Sequence, residues 1–373
     1  MMEHRPIKLG VLGTGMIATY SYGVIPNLRH IPEKVEVIAV ADPVFERAQE
    51  AQRQFNIPEA YSNLDEMLEK ADIDAVANLT PIPLHGETSL KILEAGKHVV
   101  SEKPIATSME EANVLIETAA ERGLVFVCAP PDMLSPVYAE VRRLVGEGTI
   151  GRIAFARVRS SHGGPASGTW PNDPSWFYQK GSGPLFDMGV YGIHEITGIL
   201  GPAQRVVAFS GITEPTRTVR GGPYKGKQID VTADDNTLFM LDFGQSTFAV
   251  VDGTFNVNAA KSPKVEIFGR AGTINIADYR AIRAGTPPIE VYRVDAVPGV
   301  GGWITPESTA LAMAQERYTQ LQRAILVDHL VDCIWNQTKP VLSAEHARHA
   351  LEIMVMALES ARTGRAIDLT TSF

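Results

Sequence analysis

Hydrophobic and polar positions along the first third of the chain follow two rhythms. Short apolar runs at 7–12, 35–41, 75–79, 98–101 and 124–128 read as strands. Between them apolar residues recur at helical spacing, which predicts helices over 17–28, 45–55, 64–70, 88–95 and 108–122. The last of these carries Ser108 as its N-cap and Gly123 just past its end. Strands that are apolar throughout and separated by helices predict a parallel sheet covered on both faces, a doubly wound α/β domain. The rhythm changes at Pro130-Pro131. After a helix over 136–145, longer strands follow at 153–160, 205–212, 237–243, 247–255 and 264–268, joined by Gly/Pro-rich loops and expected to pair antiparallel. Two helices, 310–336 and 343–362, close the pattern, the second with Ser343 as cap but no Glu or Gln to complete a capping box. These patterns predict two domains, 1–130 and 131–373. Segments 161–184 and 284–302 are too long to be simple connections and are expected to carry function.

Composition narrows the classes open to such a chain. Its 373 residues are 45% hydrophobic and 21% charged, a globular balance that fills about two domains. The 34 basic and 43 acidic residues leave a net charge of −9. That argues against a nucleic-acid or anionic-membrane binder, which needs a basic surface. Small anions are still open to it, because backbone donors hold them regardless of net charge. Cys128 and Cys333 each lie in an apolar run, with no CxxC or Cys/His spacing. Neither a metal site nor a disulfide framework is expected, and buried packing is the plain reading. No run approaches the roughly 18 apolar residues of a membrane span. The polar residues 1–6 pass straight into a strand, which does not fit a signal peptide. A cytoplasmic protein without nucleic-acid or membrane partners is therefore expected.

The first strand meets the first helix at Gly10-Val-Leu-Gly13-Thr-Gly15-Met16-Ile17-Ala18. A GxGxxA turn between strand and helix is a dinucleotide signal. Gly13 permits the tight turn, Gly15 lets backbone approach a pyrophosphate, and Ala18 keeps helix and strand close. Met16 and Ile17 open the helix, where backbone N–H groups favour phosphate. Asp42 ends the second strand. A carboxylate there accepts hydrogen bonds from the adenosine ribose hydroxyls and repels a 2′-phosphate, which favours NAD over NADP. It stands 29 positions beyond Gly13, rather than about 20, because residues 32–34 lengthen the connection.

Three further stretches carry a family resemblance: Asn78-Leu-Thr80-Pro81-Ile-Pro-Leu-His85, Ala95-Gly-Lys-His-Val-Val-Ser-Glu102-Lys103-Pro104, and Gly183-Pro-Leu-Phe-Asp187-Met-Gly189. Together they resemble the glucose–fructose oxidoreductase, inositol dehydrogenase and rhizopine-catabolism (Gfo/Idh/MocA) family. The likeness runs nearly end to end, including Gly151-Arg152-Ile153 and Glu359-Ser-Ala-Arg-Thr-Gly-Arg365. It implies an N-terminal Rossmann domain and a C-terminal α/β domain with a large, mostly antiparallel open-faced sheet. It also implies a homodimer or homotetramer built on that sheet, and the apolar strand 247–251 suits such a cover. Thr80, Pro81 and His85 are then the nicotinamide-side loop, and Glu102 and Lys103 the segment beside the cofactor. Lys103 falls at the carboxyl end of a parallel strand, where open α/β sheets bind ligands. An apolar setting and the nicotinamide cation both disfavour its ammonium form. The resemblance makes Lys103 catalytic.

Oxidising an alcohol with NAD also requires a base for the hydroxyl proton and groups that steady the substrate. At about 100° per residue, Asp187, Tyr191 and His194 share one side of the helix that follows Pro184, with Leu185, Met188, Ile193, Ile196, Ile199 and Leu200 opposite and Glu195 at the margin. Inositol dehydrogenase-like members place histidine four residues after the aspartate. Here that position is Tyr191, and a histidine follows at His194. Either Tyr191 is the base with Lys103, or His194, a residue type that titrates near neutrality, takes the proton while Tyr191 orients the substrate. Asp187 is expected to hold substrate hydroxyls. The loop from Ser160 through His162, Trp170 and Asp173 to Trp176-Phe177-Tyr178 pairs aromatic faces with small polar groups, which suits a sugar pocket. His162, Trp170 and Trp176 are its substrate candidates.

The expected function is an NAD-dependent oxidoreductase acting on a secondary hydroxyl of a sugar, glycoside or cyclitol. A second class keeps NAD tightly bound for transient oxidation, in sugar–sugar hydride exchange or glycoside cleavage. A third, a non-catalytic dinucleotide sensor, fits poorly with Lys103, Asp187 and Tyr191 all present.

Overall fold

Parallel strands buried on both faces build the first sheet: β1 (Ile7–Leu12), β2 (Val35–Ala41), β3 (Glu59–Tyr61), β4 (Ala75–Asn78), β5 (His98–Ser101) and β6 (Phe126–Cys128). A computed structural model describes residues 4–306 and 309–373, and every count and absence given below refers to those residues. Residues 1–3, part of the polar N-terminus, lie outside them. The strand order is β3-β2-β1-β4-β5-β6 and every pairing is parallel. Leu9, Val11, Ala39, Val40, Val76 and Val99 are buried without exposure, as the apolar runs require. β3 escapes sequence reading because it is a three-residue edge strand, half-buried throughout.

The helix expected over 17–28 is instead two short helices, Met16–Thr19 and Val24–Asn27, followed by a 3-10 turn, Leu28–His30. Tyr20 is extended, and the Gly23 N–H folds back onto the Tyr20 carbonyl at 2.6 Å. Asn27 Nδ2 secures the break by donating to the carbonyls of Ser21 and Gly23 at 2.9 and 2.7 Å.

The chain divides into two compact units. One comprises residues to Pro136, Ala312–Leu351 and Phe373; the other comprises Val137–Leu311 and Glu352–Ser372. Residues 312–351 thus pack with the first unit, whereas the sequence division placed all of 131–373 together. The reason is the apolar stripe of the helix Ile325–Asn336. Leu326, Val327, Leu330 and Val331 are fully buried and cover β5 and β6. The Cys128 N–H bonds to the Leu342 carbonyl at 3.1 Å, and Lys34 reaches Asp328 and Asp332 at 2.7 and 2.6 Å. A 3-10 turn at Gln322–Ala324 separates this helix from Thr309–Leu321, breaking the single helix expected over 310–336. Ser343 caps the last helix, Ala344–Thr363, by accepting from the His346 N–H at 3.1 Å.

The second unit is built on nine strands: β7 (Ile153–Arg159), β8 (Arg205–Gly211), β11 (Asn236–Asp242), β12 (Phe248–Thr254), β13 (Val265–Gly269), β14 (Gly272–Ile276), β15 (Ile289–Val297), β16 (Val300–Ile304) and β17 (Ile367–Asp368). A separate ribbon pairs β9 (Thr216–Thr218) with β10 (Gln228–Asp230). The large sheet runs β16-β15-β14-β13-β7-β12-β11-β8-β17. All its neighbours are antiparallel except β7 and β12. Much of 284–302, expected as a functional loop, is the β15–β16 hairpin, whose exposed Gly and charged positions hide the strand pattern. Exposure alternates along β11 and along the first five residues of β8 and β12. Val206, Ala208, Phe239, Leu241, Ala249 and Val251 face the core, while Val207, Phe209, Leu238, Met240, Phe248 and Val250 face outward. No helix is long and apolar enough to cross a membrane. Both thiols are buried and form no disulfide.

Candidate active site

The first unit gathers its functional groups at the carboxyl ends of β1, β2, β4 and β5. Gly13 has φ +88°, and a Cβ there would stand 2.8 Å from the Leu79 carbonyl oxygen, so only glycine makes this turn. At Gly15 a Cβ would meet nothing within 4 Å, so the turn is open on the side where a pyrophosphate is expected. The first helical bonds, from Ala18 and Thr19, both run to the Gly15 carbonyl. Met16 and Ile17 form the first turn of that short helix, Met16–Thr19. Asp42 is buried at 5% exposure. Its carboxylate accepts from the Thr14 N–H and hydroxyl at 2.9 and 3.0 Å and from the Val44 N–H at 2.9 Å. Three accepted hydrogen bonds thus anchor the charge just past the end of β2. An open turn, a glycine whose Cβ space is filled by backbone and a fixed carboxylate at the end of β2 together fit a dinucleotide.

Asn78, fully buried, organises the next loop. Its amide donates to the hydroxyls of Thr88 and Ser89 at 2.8 and 2.9 Å, and its oxygen accepts from the Thr80 hydroxyl at 2.7 Å. Pro81 follows in an exposed position. The structure gives His85 a different place from the lining role expected of it. The ring is 1% exposed, with its two nitrogens 2.7 Å from the Thr80 and Pro104 carbonyls. It ties the Thr80 loop to the segment that follows Lys103.

That segment is held from several directions. The Glu102 N–H bonds to the Asn78 carbonyl at 3.1 Å, and the Lys103 N–H to the Glu102 carboxylate at 3.3 Å. Arg323 closes on the other carboxylate oxygen at 3.0 Å. Arg323 was not among the residues the sequence singled out. Its role depends on a contact spanning 221 positions, for which no local pattern exists. Glu102 is buried and Lys103 half-buried.

In the second unit, Asp187, Tyr191 and His194 lie on one helical segment that begins at Pro184. It opens with a π-turn, Leu185–Gly189, and continues as an α-helix, Val190–Leu200, so a uniform 100° step does not apply to its start. Asp187 and Tyr191 are half-buried, whereas His194 is 1% exposed. Glu195, expected at the margin of the polar side, is fully buried and paired with Lys264. The segment lies on the covered face of the large sheet, where Gly192 sits against Val158 and Val251. No solvated face is present between Val190 and Thr197.

The aromatic loop is irregular, as expected, with 3-10 turns at Pro165–Ser167 and Ser175–Tyr178. Tyr178, Phe177 and Phe255 form a core with Val219, Ile229 and Val231, against which Trp170 and Met188 pack. Trp170 stands edge-on to Phe177 at 5.4 Å. Trp176 is 45% exposed over the same ring at 4.1 Å. The His162 ring lies 5.2 Å from Phe255, and its Nδ1 accepts from the Gly164 N–H at 2.8 Å. Hydrogen bonds from Lys227 and Ser175 anchor Asp173 and push its carboxyl down to about 2. Trp176 offers its face to solvent, while Trp170 contributes to packing. No group of three or more His, Cys, Asp or Glu side chains is placed to hold a metal.

Comparison with known proteins follows this division of the chain. Residues 7–129 match the oxidoreductase family with an NAD-binding Rossmann fold, and residues 138–275 match the GFO/IDH/MocA C-terminal domain. Levoglucosan dehydrogenase of Pseudarthrobacter phenanthrenivorans is 30% identical over 291 residues, covering 72% of this chain and 73% of that protein. The scyllo-inositol 2-dehydrogenase (NAD(+)) of Bacillus subtilis is 24% identical over 369 residues, covering 99% and 97%. Among solved structures, an NAD-binding oxidoreductase from Klebsiella pneumoniae superposes with a TM-score of 0.83 at 20% identity, covering 98% of this chain and all of that one.

Proposed function

The chain belongs to the Gfo/Idh/MocA family of oxidoreductases, and from that premise we propose that it is an NAD-dependent dehydrogenase acting on a secondary hydroxyl of a sugar, glycoside or cyclitol. The observation that carries this reading is the anchoring of Lys103 at the carboxyl end of β5, in the same sheet that holds the Gly13 turn and Asp42. NAD, when bound, supplies the hydride acceptor. Gly13, Gly15, Met16 and Ile17 would hold its pyrophosphate and Asp42 its ribose, with Thr80, Pro81 and Glu102 lining the nicotinamide side and His85 bracing that loop.

The remaining chemistry belongs to side chains. Lys103 and Tyr191 handle the hydroxyl proton as the carbonyl forms, a role worth about 10²–10⁴ in rate. Asp187 accepts hydrogen bonds from substrate hydroxyls and fixes which carbon is presented. The near-complete burial of His194, 1% exposed, favours Tyr191 over it as the base. His162 and Trp176 suit the sugar's faces. The test is to add NAD⁺ to the purified protein with a panel of sugars, glycosides and inositols and to follow NADH. NADH formation with one substrate class is the expected result. Product without NADH would move the protein to the transient-oxidation class.

The outward face of the large sheet bears on assembly. Register places Phe209 beside Leu238, Met240 beside both Val207 and Val250, and Phe248 beside Phe155. Phe209 is 82% exposed, and a contiguous apolar face of this kind marks an interaction surface. We propose that a second copy covers it, as a homodimer or homotetramer, in a cytoplasmic protein. Sedimentation should show an oligomer for the native protein and monomers for the Phe209→Glu/Met240→Glu variant. A native monomer would contradict this.

A further inference from the structure

The helical segment carrying Asp187, Tyr191 and His194 departs from α-geometry at its start. Across Leu185–Gly189 the backbone widens into a π-turn, with the Val190 N–H bonded to the Leu185 carbonyl five residues back. Single wide turns of this kind recur at functional sites, and a helix breaks regularity only for an identifiable cause. Here the cause comes from another element. The Ser160 hydroxyl, just beyond the end of β7, donates to the Met188 carbonyl and accepts from the Gly192 N–H at 3.1 Å. Residues 188 and 192 are four apart, the pair that an uninterrupted α-helix would bond directly. The serine hydroxyl is inserted between them.

Ser160 is itself fixed. It is 1% exposed, its N–H donates to Asp252 Oδ1 at 2.7 Å, and the Ser161 hydroxyl bonds to the same oxygen. Ser161 in turn accepts from the Thr254 N–H at 3.1 Å. Gly192 makes room for the insertion, because a Cβ there would lie 2.9 Å from both Ser160 Cβ and Val158 Cγ1. Two strands of the sheet, β7 and β12, thus dictate the shape of the first turn.

The consequence is angular. Four α-helical steps from Asp187 to Tyr191 turn through about 400°, which offsets the two side chains. A wider turn advances less per residue and brings the two nearer to one full revolution apart, in line along the helix. We propose that Ser160 is a positioning residue, whose hydroxyl holds the π-turn that aligns Asp187 with Tyr191 on the substrate. This rests on the reading of those two residues as substrate-handling.

The test joins a structural and a kinetic readout on the full-length protein. In Ser160→Ala the ladder should close, with the Gly192 N–H on the Met188 carbonyl in the crystal structure and Asp187 rotated away from Tyr191. Turnover should fall about a hundredfold, the scale of an ångström-sized misplacement, while NAD affinity stays unchanged. Ser160→Thr, which keeps the hydroxyl, should recover most of the turnover. Where the alanine variant does not fold, Ser160→Cys keeps a slightly larger group in place and weakens both bonds, since a thiol is a poor donor and acceptor, and the same loss of turnover is expected. A π-turn that persists without the hydroxyl would overturn the proposal. So would a closed ladder with undiminished turnover, provided Asp187→Asn and Tyr191→Phe are impaired. Full activity in those two variants would remove the underlying reading, and the proposal with it.

Discussion

Lys103→Met should lower turnover about 10³-fold, inside the range expected for loss of a proton-transfer group, while NAD affinity remains close to native. Methionine keeps most of the side-chain length and its apolar stem, so the packing around β5 survives. The backbone at 103 is held independently of its side chain, through the Lys103 N–H on Glu102 and the Glu102–Arg323 ion pair at 3.0 Å. The groups expected to bind the cofactor's pyrophosphate and ribose, the Gly13–Ile17 turn and Asp42, lie at β1 and β2 and are untouched. Steady-state turnover alongside calorimetric titration with NAD separates the two effects. Unchanged turnover would remove Lys103 from the chemistry. A parallel loss of NAD binding would make it a structural cofactor contact instead.

The second large effect is on stability. Glu195 is fully buried on the helix Val190–Leu200, and Lys264, 23% exposed, supplies its cation from the residue just before β13. Removing one partner of a buried pair costs about 3–5 kcal/mol, because the other charge is left in the core. Lys264→Met should therefore lower the unfolding free energy by that amount, read as a lower denaturant midpoint at an unchanged m-value. The Lys264→Met/Glu195→Leu double variant should recover most of the loss, since apolar replacement of a whole buried pair is often neutral. A single variant within about 1 kcal/mol of native would place the pair in the weak class typical of exposed pairs. The pair also ties the helix that carries Tyr191 to the residue preceding β13, so the single variant should lose turnover at temperatures where it is still folded.

How far the sequence carries this account differs between the two units. In the first, apolar strands and amphipathic helices are local signals, and 7–12, 35–41, 45–55 and 98–101 coincide with the observed elements. The Gly13 turn, Asp42 and the Glu102-Lys103-Pro104 run are equally local, which is why short patterns expose them. The break at Tyr20–Gly23 has no such signal, because it depends on Asn27 folding back onto two carbonyls. In the second unit β7, β8, β11, β12 and β13 are legible as apolar runs, but β14, the two-residue β17 and the β15–β16 hairpin are not, the hairpin because most of its outer half is exposed. The π-turn is the clearest case. Residues 184–200 carry a regular helical pattern, and the distortion comes from a serine 32 positions before Gly192. Arg323 and the Asp252 support of Ser160 are hidden for the same reason. The residues proposed to act on ligand sit in short motifs, while those that hold them in place are scattered by long-range packing.

The central claim is hydride transfer from a carbinol carbon to nicotinamide. Its most direct test is to supply NAD⁺ with a sugar or cyclitol substrate deuterated at the reacting carbon and to weigh the cofactor after turnover. The account predicts NADH carrying the label, and a matching loss of the label in Lys103→Met, where transfer all but stops. Label retained in the sugar or lost to solvent, or a protein that binds no NAD, would contradict it.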